Sequence, residues 1–374
     1  MAITISKYPQ LISPAGNPLM WQFSSTNSTQ PNFSYIVEVY LNNIKISTNK
    51  VLPEIGGNTA HFDGSAIIQP WLTIPGISTP IYRQNPSALP IRVEILESYG
   101  ATPTTSNRKV GDTTYTWNAC LSNEEFVNYD YNDWLGNKFF TDNRSAVFHV
   151  NKNTDLPISF MVTDEFVFDV VLLDAQGNQI DFISLQEPSE MLIVDVNLSK
   201  QNLEDNGITE YDNASYIELR INSFETITYK FVNNCFEENN SLVFLNKYGG
   251  FDVFALTHSI EKNTSIKTHD FERQFGKWVG DSYEYDTEDS GAQVYLKVME
   301  DSGVIHSQSL PEAIANWLLS INESPRVMLW ENGNKRRINI TNTKYSKIQE
   351  RYSDDLIMVS FDFDYNNKRK SINL

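Results

Sequence analysis

The sequence predicts a mainly β protein: tandem β-sandwich domains of immunoglobulin or fibronectin type, then a mixed, mostly β C-terminal domain carrying one or two short helices. Three observations predict it. Aromatic residues make up 12% of the chain, through 18 Tyr, 21 Phe and 7 Trp, a bias that suits pleated, half-buried surfaces. Runs with apolar side chains at every second position recur along the chain. Clusters of Asn, Gly, Pro and Asp interrupt these runs at short intervals, as they do in all-β domains. At 374 residues the chain exceeds one ordinary core. The element pattern divides it into a β-sandwich at 1–136, a second β-domain at 137–235 and the mixed domain at 236–374.

In the first region, strands are expected at Leu19 to Phe23 and Phe33 to Leu41. In the latter, Tyr35, Val37, Val39 and Leu41 share one face and Ser34, Ile36, Glu38 and Tyr40 the other. Asn42 and Asn43 supply a hairpin turn into Ile44 to Ile46. Further strands follow at Thr59 to Phe62, Ile91 to Glu97 and Thr113 to Ala119. There is no Cys…Trp…Cys spacing, so an antibody-like domain is not implied. Ser122-Asn123-Glu124-Glu125 matches a capping box, and a short helix with Phe126, Tyr129 and Trp134 is expected before Gly136.

The second region continues with strands at Ala146 to Val150, Ile158 to Val162 and Phe166 to Leu173. The Gly-bearing turn Asp174 to Asn178 then leads into Gln179 to Ile183. Met191 to Val196, Tyr216 to Ile221 and Ile227 to Val232 complete it.

In the third region Leu242 to Leu245, the turn Asn246-Lys247-Tyr248-Gly249-Gly250 and Phe251 to Phe254 read as a β-hairpin in which glycine can take positive φ. Ser309-Leu310-Pro311-Glu312 reads as a capped helix start, with Ile314, Trp317, Leu318 and Ile321 on one face. Strands resume at Arg326 to Trp330, Arg337 to Ile340 and Leu356 to Tyr365, where Ile357, Val359, Phe361 and Phe363 face one way. Asn366 to Leu374, with Lys368, Arg369 and Lys370, reads as a mobile or partner-bound tail.

The chemistry-bearing residues form no recognised constellation. The five histidines, His61, His149, His258, His269 and His306, lie apart and make no metal-binding pattern. Cys120 and Cys235 are too few for a disulfide framework; one long-range bridge between them stays open, and two separately buried thiols are the expected state. The acidic run Asp281 to Asp289 lacks the central Gly of a calcium loop and reads as solvated. No nucleophile elbow, Walker loop or dinucleotide fingerprint occurs. The expectation is a chain that is not an enzyme, with no catalytic residues, no cofactor and no metal. With 29 Lys and Arg against 47 Asp and Glu the net charge is −18, which argues against specific nucleic-acid binding. No apolar stretch is long enough for a membrane span, and the N-terminal residues do not read as a secretory signal.

The phrase from Cys235 to Phe254 resembles one in tail structural proteins of viruses and prophages of Bacteroidetes, including crAss-like phages. The segments His61 to Ser65, Pro70 to Leu72, Arg326 to Trp330 and Phe361 to Tyr365 are similar to the same group. The resemblance implies a virion component that forms a ring or hub in the phage tail. Its partners would be copies of itself, as a cyclic homo-oligomer, and other tail proteins. The expected interface residues are Tyr248, Gly249, Gly250 and Phe251 of the hairpin, because aromatics enrich interface cores, with Lys368, Arg369 and Lys370 of the tail. A competing reading is a surface carbohydrate-binding β-sandwich, for which the run Asp130-Tyr131-Asn132-Asp133-Trp134 offers oxygens and an aromatic platform, although its place after a capped helix start makes Tyr129 and Trp134 read as domain-core residues. A third is a tail-associated glycan depolymerase, for which paired carboxylates leave no local signature.

Overall fold

The computed structural model describes residues 2–74, 81–84, 88–101, 104–142, 147–162, 166–187, 193–221, 225–232, 240–258, 260–272, 276–284, 292–331, 333–348 and 356–370. The protein is mainly β, with 57% strand against 12% helix among the described residues. It divides into two compact units. The first comprises Met1–Val232 with Leu245–Val253, and the second Asn233–Phe244 with Phe254–Leu374.

The first unit opens with two sheets packed face to face. A three-stranded sheet joins Ile3–Lys7, Met20–Ser25 and Thr59–Asp63. Opposite it, Ile12–Pro14, Thr114–Trp117, Leu89–Tyr99, Ser34–Leu41 and Ile44–Val51 pair in that order, with Thr104–Val110 added to Leu89–Tyr99. Trp21, Phe23 and Phe62 of one sheet and Tyr35, Val37, Val39, Val93 and Ile95 of the other form a single buried cluster. The alternation read along Phe33 to Leu41 is thus the sandwich interior. Asn42 and Asn43 both take positive φ, 48° and 63°, as a two-residue hairpin turn between Leu41 and Ile44 requires.

A second sheet pair follows. Phe148–Val150, Glu225–Phe231, Tyr216–Ile221, Phe166–Leu173 and Gln179–Glu187 make a five-stranded sheet, and Leu156–Met161, Ile193–Leu198 and Tyr82–Gln84 a three-stranded one. Phe160 of the small sheet stacks on Phe168 of the large one at 5.6 Å. The expected boundary at 136 does not separate two compact units. Tyr82–Gln84, from the first predicted domain, hydrogen-bonds to Ile193–Leu198 of the second. Bridges Leu135–Met161 and Phe139–Phe160 cross the same line. Such long-range pairing leaves no mark in local periodicity.

The second unit is organised by a seven-stranded sheet. Its order is Phe251–Leu256, Asn240–Leu245, Val327–Glu331, Asn334–Ile348, Leu356–Lys370, Ala292–His306 and Glu261–Glu272. Ile357, Val359, Phe361 and Phe363 are all buried, as their alternation predicts. Helix Glu312–Leu319 lays Trp317 against Phe244 and Phe254, at 5.6 and 6.3 Å. The predicted Ser309 capping box does not form. Leu310 exchanges backbone hydrogen bonds of 2.8 and 2.9 Å with Ile357, which holds the chain extended through Leu310. The helix therefore starts later, with Pro311 at its N-cap and no side-chain cap. Ser122 and Glu125, by contrast, form the full reciprocal box at helix Asn123–Val127.

The predicted tail is corrected as well. Asn366 to Lys370 belong to strand Leu356–Lys370, where Lys368, Arg369 and Lys370 pair with Glu300, Met299 and Val298. Among the described residues no helix is long and apolar enough to cross a membrane.

Candidate interaction surfaces

The hairpin that carries the family resemblance is folded inward. Its turn, counted with the first unit, is held by Asn246. The Asn246 Oδ1 accepts from the backbone N–H of Tyr248 and Gly250 at 3.0 and 3.2 Å, and its Nδ2 donates to the Phe140 carbonyl at 2.7 Å. Tyr248 is 6% exposed and joins a cluster with Trp117, Tyr129 and Phe140. Gly249, at φ +83°, lies where a Cβ would sit 2.6 Å from the Asn118 carbonyl oxygen, and a Cβ on Gly250 would sit 2.5 Å from that of Phe140. Phe251 is buried too. These four residues, expected at an interface, are consumed in packing within the chain. The glycines of the turn mark a close backbone approach rather than an outer surface.

Around this turn sits a small charged network. Lys247 Nζ lies 2.8 Å from Glu125 Oε1 and 3.1 Å from Asp142 Oδ2, and the Tyr248 hydroxyl donates to Glu125 at 2.7 Å. Burial alone would raise the Glu125 carboxyl. The hydrogen bonds from Lys247, Ser122 and Tyr248 override it and hold the pKa at about 2.

Tyr129 and Trp134 pack within the chain, as their place after the capped helix start predicts. Tyr129 is buried, and Trp134 packs on Phe140 and Tyr248 at 5.8 and 5.0 Å. Cys120 is exposed rather than buried, while Cys235 lies outside the described residues. The described histidines stay dispersed: His61 meets Glu54 at 3.0 Å, and His306 meets Ser360 at 2.8 Å. Among the described residues no group of three His, Cys, Asp or Glu side chains is arranged to hold a metal ion.

Two exposed features belong to the second unit. The first is a cationic groove of about 520 Å³ lined by Lys335, Arg336, Arg337 and Arg369, with Asp301, Tyr365 and Asn366. Arg369 binds Asp301 at 2.8 Å, the Arg336 guanidinium lies 5.6 Å from the centre of the Tyr365 ring, and Arg337 donates to the Pro325 carbonyl at 3.2 Å. The Tyr365 hydroxyl donates to Glu331 at 3.1 Å. Of the expected basic residues, Arg369 is thereby placed beside cations distant from it in sequence. Lys368 and Lys370 are its strand neighbours.

The second feature is a β-arm that the sequence reading missed. Glu261–Glu272 pairs with Ala292–His306 at the end of the sheet order, and all twelve of its residues are exposed. Its sequence, EKNTSIKTHDFE, has no apolar alternation because neither face is buried, so periodicity gave no strand signal. Between these strands Lys277–Val279 and Ser282–Glu284 form a small hairpin. Gly280, at φ +61°, opens its two-residue turn. Trp278 and Tyr283 pack edge to face at 5.4 Å on it, 68% and 44% exposed. Ile266, Phe271, Val294 and Tyr295 add exposed apolar surface along the arm.

No protein-family model matches the chain, and no curated protein matches it in sequence.

Proposed function

We propose that this chain is a non-enzymatic structural subunit of a bacteriophage virion, which assembles with itself and with other tail proteins into a ring or hub of the tail. The β-arm carries this reading. A long, flat edge strand exposes a row of backbone donors and acceptors, which proteins normally shorten, twist away or cover. Here the strand runs for twelve residues, with one register shift at His269/Asp270, and leads to an exposed Trp–Tyr pair. Large exposed apolar patches mark interaction surfaces, and Trp and Tyr are enriched where interfaces are anchored. An extended ribbon offers contact area with little depth, which suits a neighbouring subunit better than a small substrate. The resemblance to tail structural proteins agrees with this and supplies the setting, a phage tail, with no cofactor required.

Light scattering and negative-stain microscopy of the full chain, alone and mixed with other tail proteins, test the proposal. Closed oligomers or defined co-assemblies are expected, and they should be lost when Trp278 and Tyr283 are both replaced by Ser. A chain that stays monomeric at every concentration and ignores the other tail proteins would overturn it.

A further inference from the structure

We infer that the cationic groove is the receptor for the arm tip of a second copy of this chain, so that subunits join head to tail. The inference rests on the assembling function proposed above and names its contact. The tip presents Trp278 and Tyr283 beside the carboxylates Asp281 and Glu284, with Lys277 paired across the hairpin from Glu284. The groove presents four cations, and the ring of Tyr365 forms part of its lining. Each guanidinium has five N–H donors in a planar fork, so the contacts to Asp301 and Pro325 leave Arg369 and Arg337 able to receive an incoming carboxylate.

Charge also selects the occupant. Two chains of net charge −18 repel at long range, so contact between copies needs a local patch of opposite sign. The groove is such a patch, and the tip is its complement.

The contact is made between copies rather than within one. Asp301 lies nine residues along strand Ala292–His306 from Ala292, roughly 30 Å at about 3.3 Å per residue. While that strand stays paired, the tip is carried away from its own groove. A heterologous contact of this kind repeats from one subunit to the next and closes into a ring when the rotation permits.

Charge reversal in the full chain tests this. Arg336→Glu with Arg369→Glu should raise the dissociation constant for self-assembly by roughly tenfold to a hundredfold, and Asp281→Lys with Glu284→Lys should do the same. A chain carrying all four changes should assemble again, which a folding defect would not allow. Lys50→Glu, at an exposed position in the first unit, controls for net charge. If the wild-type chain assembles and the groove reversal leaves its dissociation constant unchanged, the contact is wrong while the assembling function stands. If the wild-type chain never assembles, both fall. Loss of binding to duplex DNA or inorganic phosphate in the groove variant, with assembly intact, would also overturn it.

Discussion

The indole N–H of Trp117 donates to the backbone carbonyl of Tyr248 at 2.8 Å, across 131 residues of sequence. This bond fixes the inserted hairpin turn in the first unit. The adjoining backbone bond from Cys120 N–H to the Lys247 carbonyl, at 2.8 Å, anchors the turn a second time. Trp117→Phe keeps an aromatic ring but removes the donor and part of the buried indole. The Tyr248 carbonyl then loses this donor and a cavity opens beside it, at a cost of about 1–3 kcal/mol. Denaturant unfolding followed by near-UV circular dichroism should show the loss in the transition of the first unit. Because the chain has two compact units, that transition is to be fitted separately from the other.

Gly250→Ala should cost more than the Trp117 change. Its new methyl would meet the Phe140 carbonyl oxygen at 2.5 Å and the Phe140 Cβ at 2.9 Å, and neither is the end of a flexible side chain. Forced overpacking of this kind costs roughly 1–3 kcal/mol or more. Gly177→Ala is the informative contrast: unlike Gly250, Gly177 has positive φ, +84°, but it has open space around it, so its cost is confined to backbone strain of about 1 kcal/mol. Thermal melts of the two variants should rank them in that order.

The Lys247–Glu125 pair makes the same turn sensitive to acid. Glu125 titrates at about 2 in the folded chain against an ordinary 4.5, so the folded state binds its proton less readily than the unfolded state. Stability from this group is fully present above pH 4.5, falls as the pH drops through the interval from 4.5 to 2, and is gone below it. Lys247 is displaced the other way: burial would lower it, but Glu125 and Asp142 raise it. Its contribution is intact below about 10.5 and declines only at more alkaline pH. Glu125→Gln should therefore flatten the acid limb of a melting temperature against pH curve. An unchanged acid limb would contradict the network.

What could be read from the sequence follows from where a side chain's environment is local. The alternation in Phe33 to Leu41 and in Leu356 to Tyr365 located buried faces because one side of each strand meets a core. Ser122 and Glu125 announced a helix start because a capping box is complete within four residues. The Ser309 box failed for a non-local reason, since strand Leu356–Lys370 captures Leu310 first. The arm was illegible because a strand exposed on both faces has no hydrophobic period. The groove was half legible: Lys335, Arg336 and Arg337 are contiguous, but only the antiparallel ladder brings Arg369 across to them.

Glu97 provides a prediction about the first sandwich. Fully buried, it accepts hydrogen bonds from Ser25, from Asn27 Nδ2 at 2.9 Å and from Asn107 Nδ2 at 2.7 Å. The set ties the end of strand Met20–Ser25 to the opposite sheet. Glu97→Ala leaves three donors without their acceptor and opens a cavity, so a loss of about 2–5 kcal/mol is expected. Glu97→Gln keeps the shape but offers one acceptor oxygen in place of two, so its loss should be smaller. Equilibrium unfolding of both variants would check this ordering.

Hydrogen exchange should separate the arm from the sheet that bears it, and should then report on assembly. In an antiparallel edge strand, alternate residues turn their N–H groups away from the only neighbouring strand. Among the described residues Glu261–Glu272 pairs with Ala292–His306 alone at the end of the sheet order, and every residue in it is exposed. Its outward amides should exchange within seconds in a dilute monomer. Those around Phe361, paired on both sides by Thr343 and Ile305, should exchange only on opening of the sheet. Assembly through the arm must slow exchange in Glu261–Glu272 and in Lys277 to Glu284 while leaving the rate at Phe361 unchanged. If arm exchange is equally fast in the assembled particle, another surface holds the copies together.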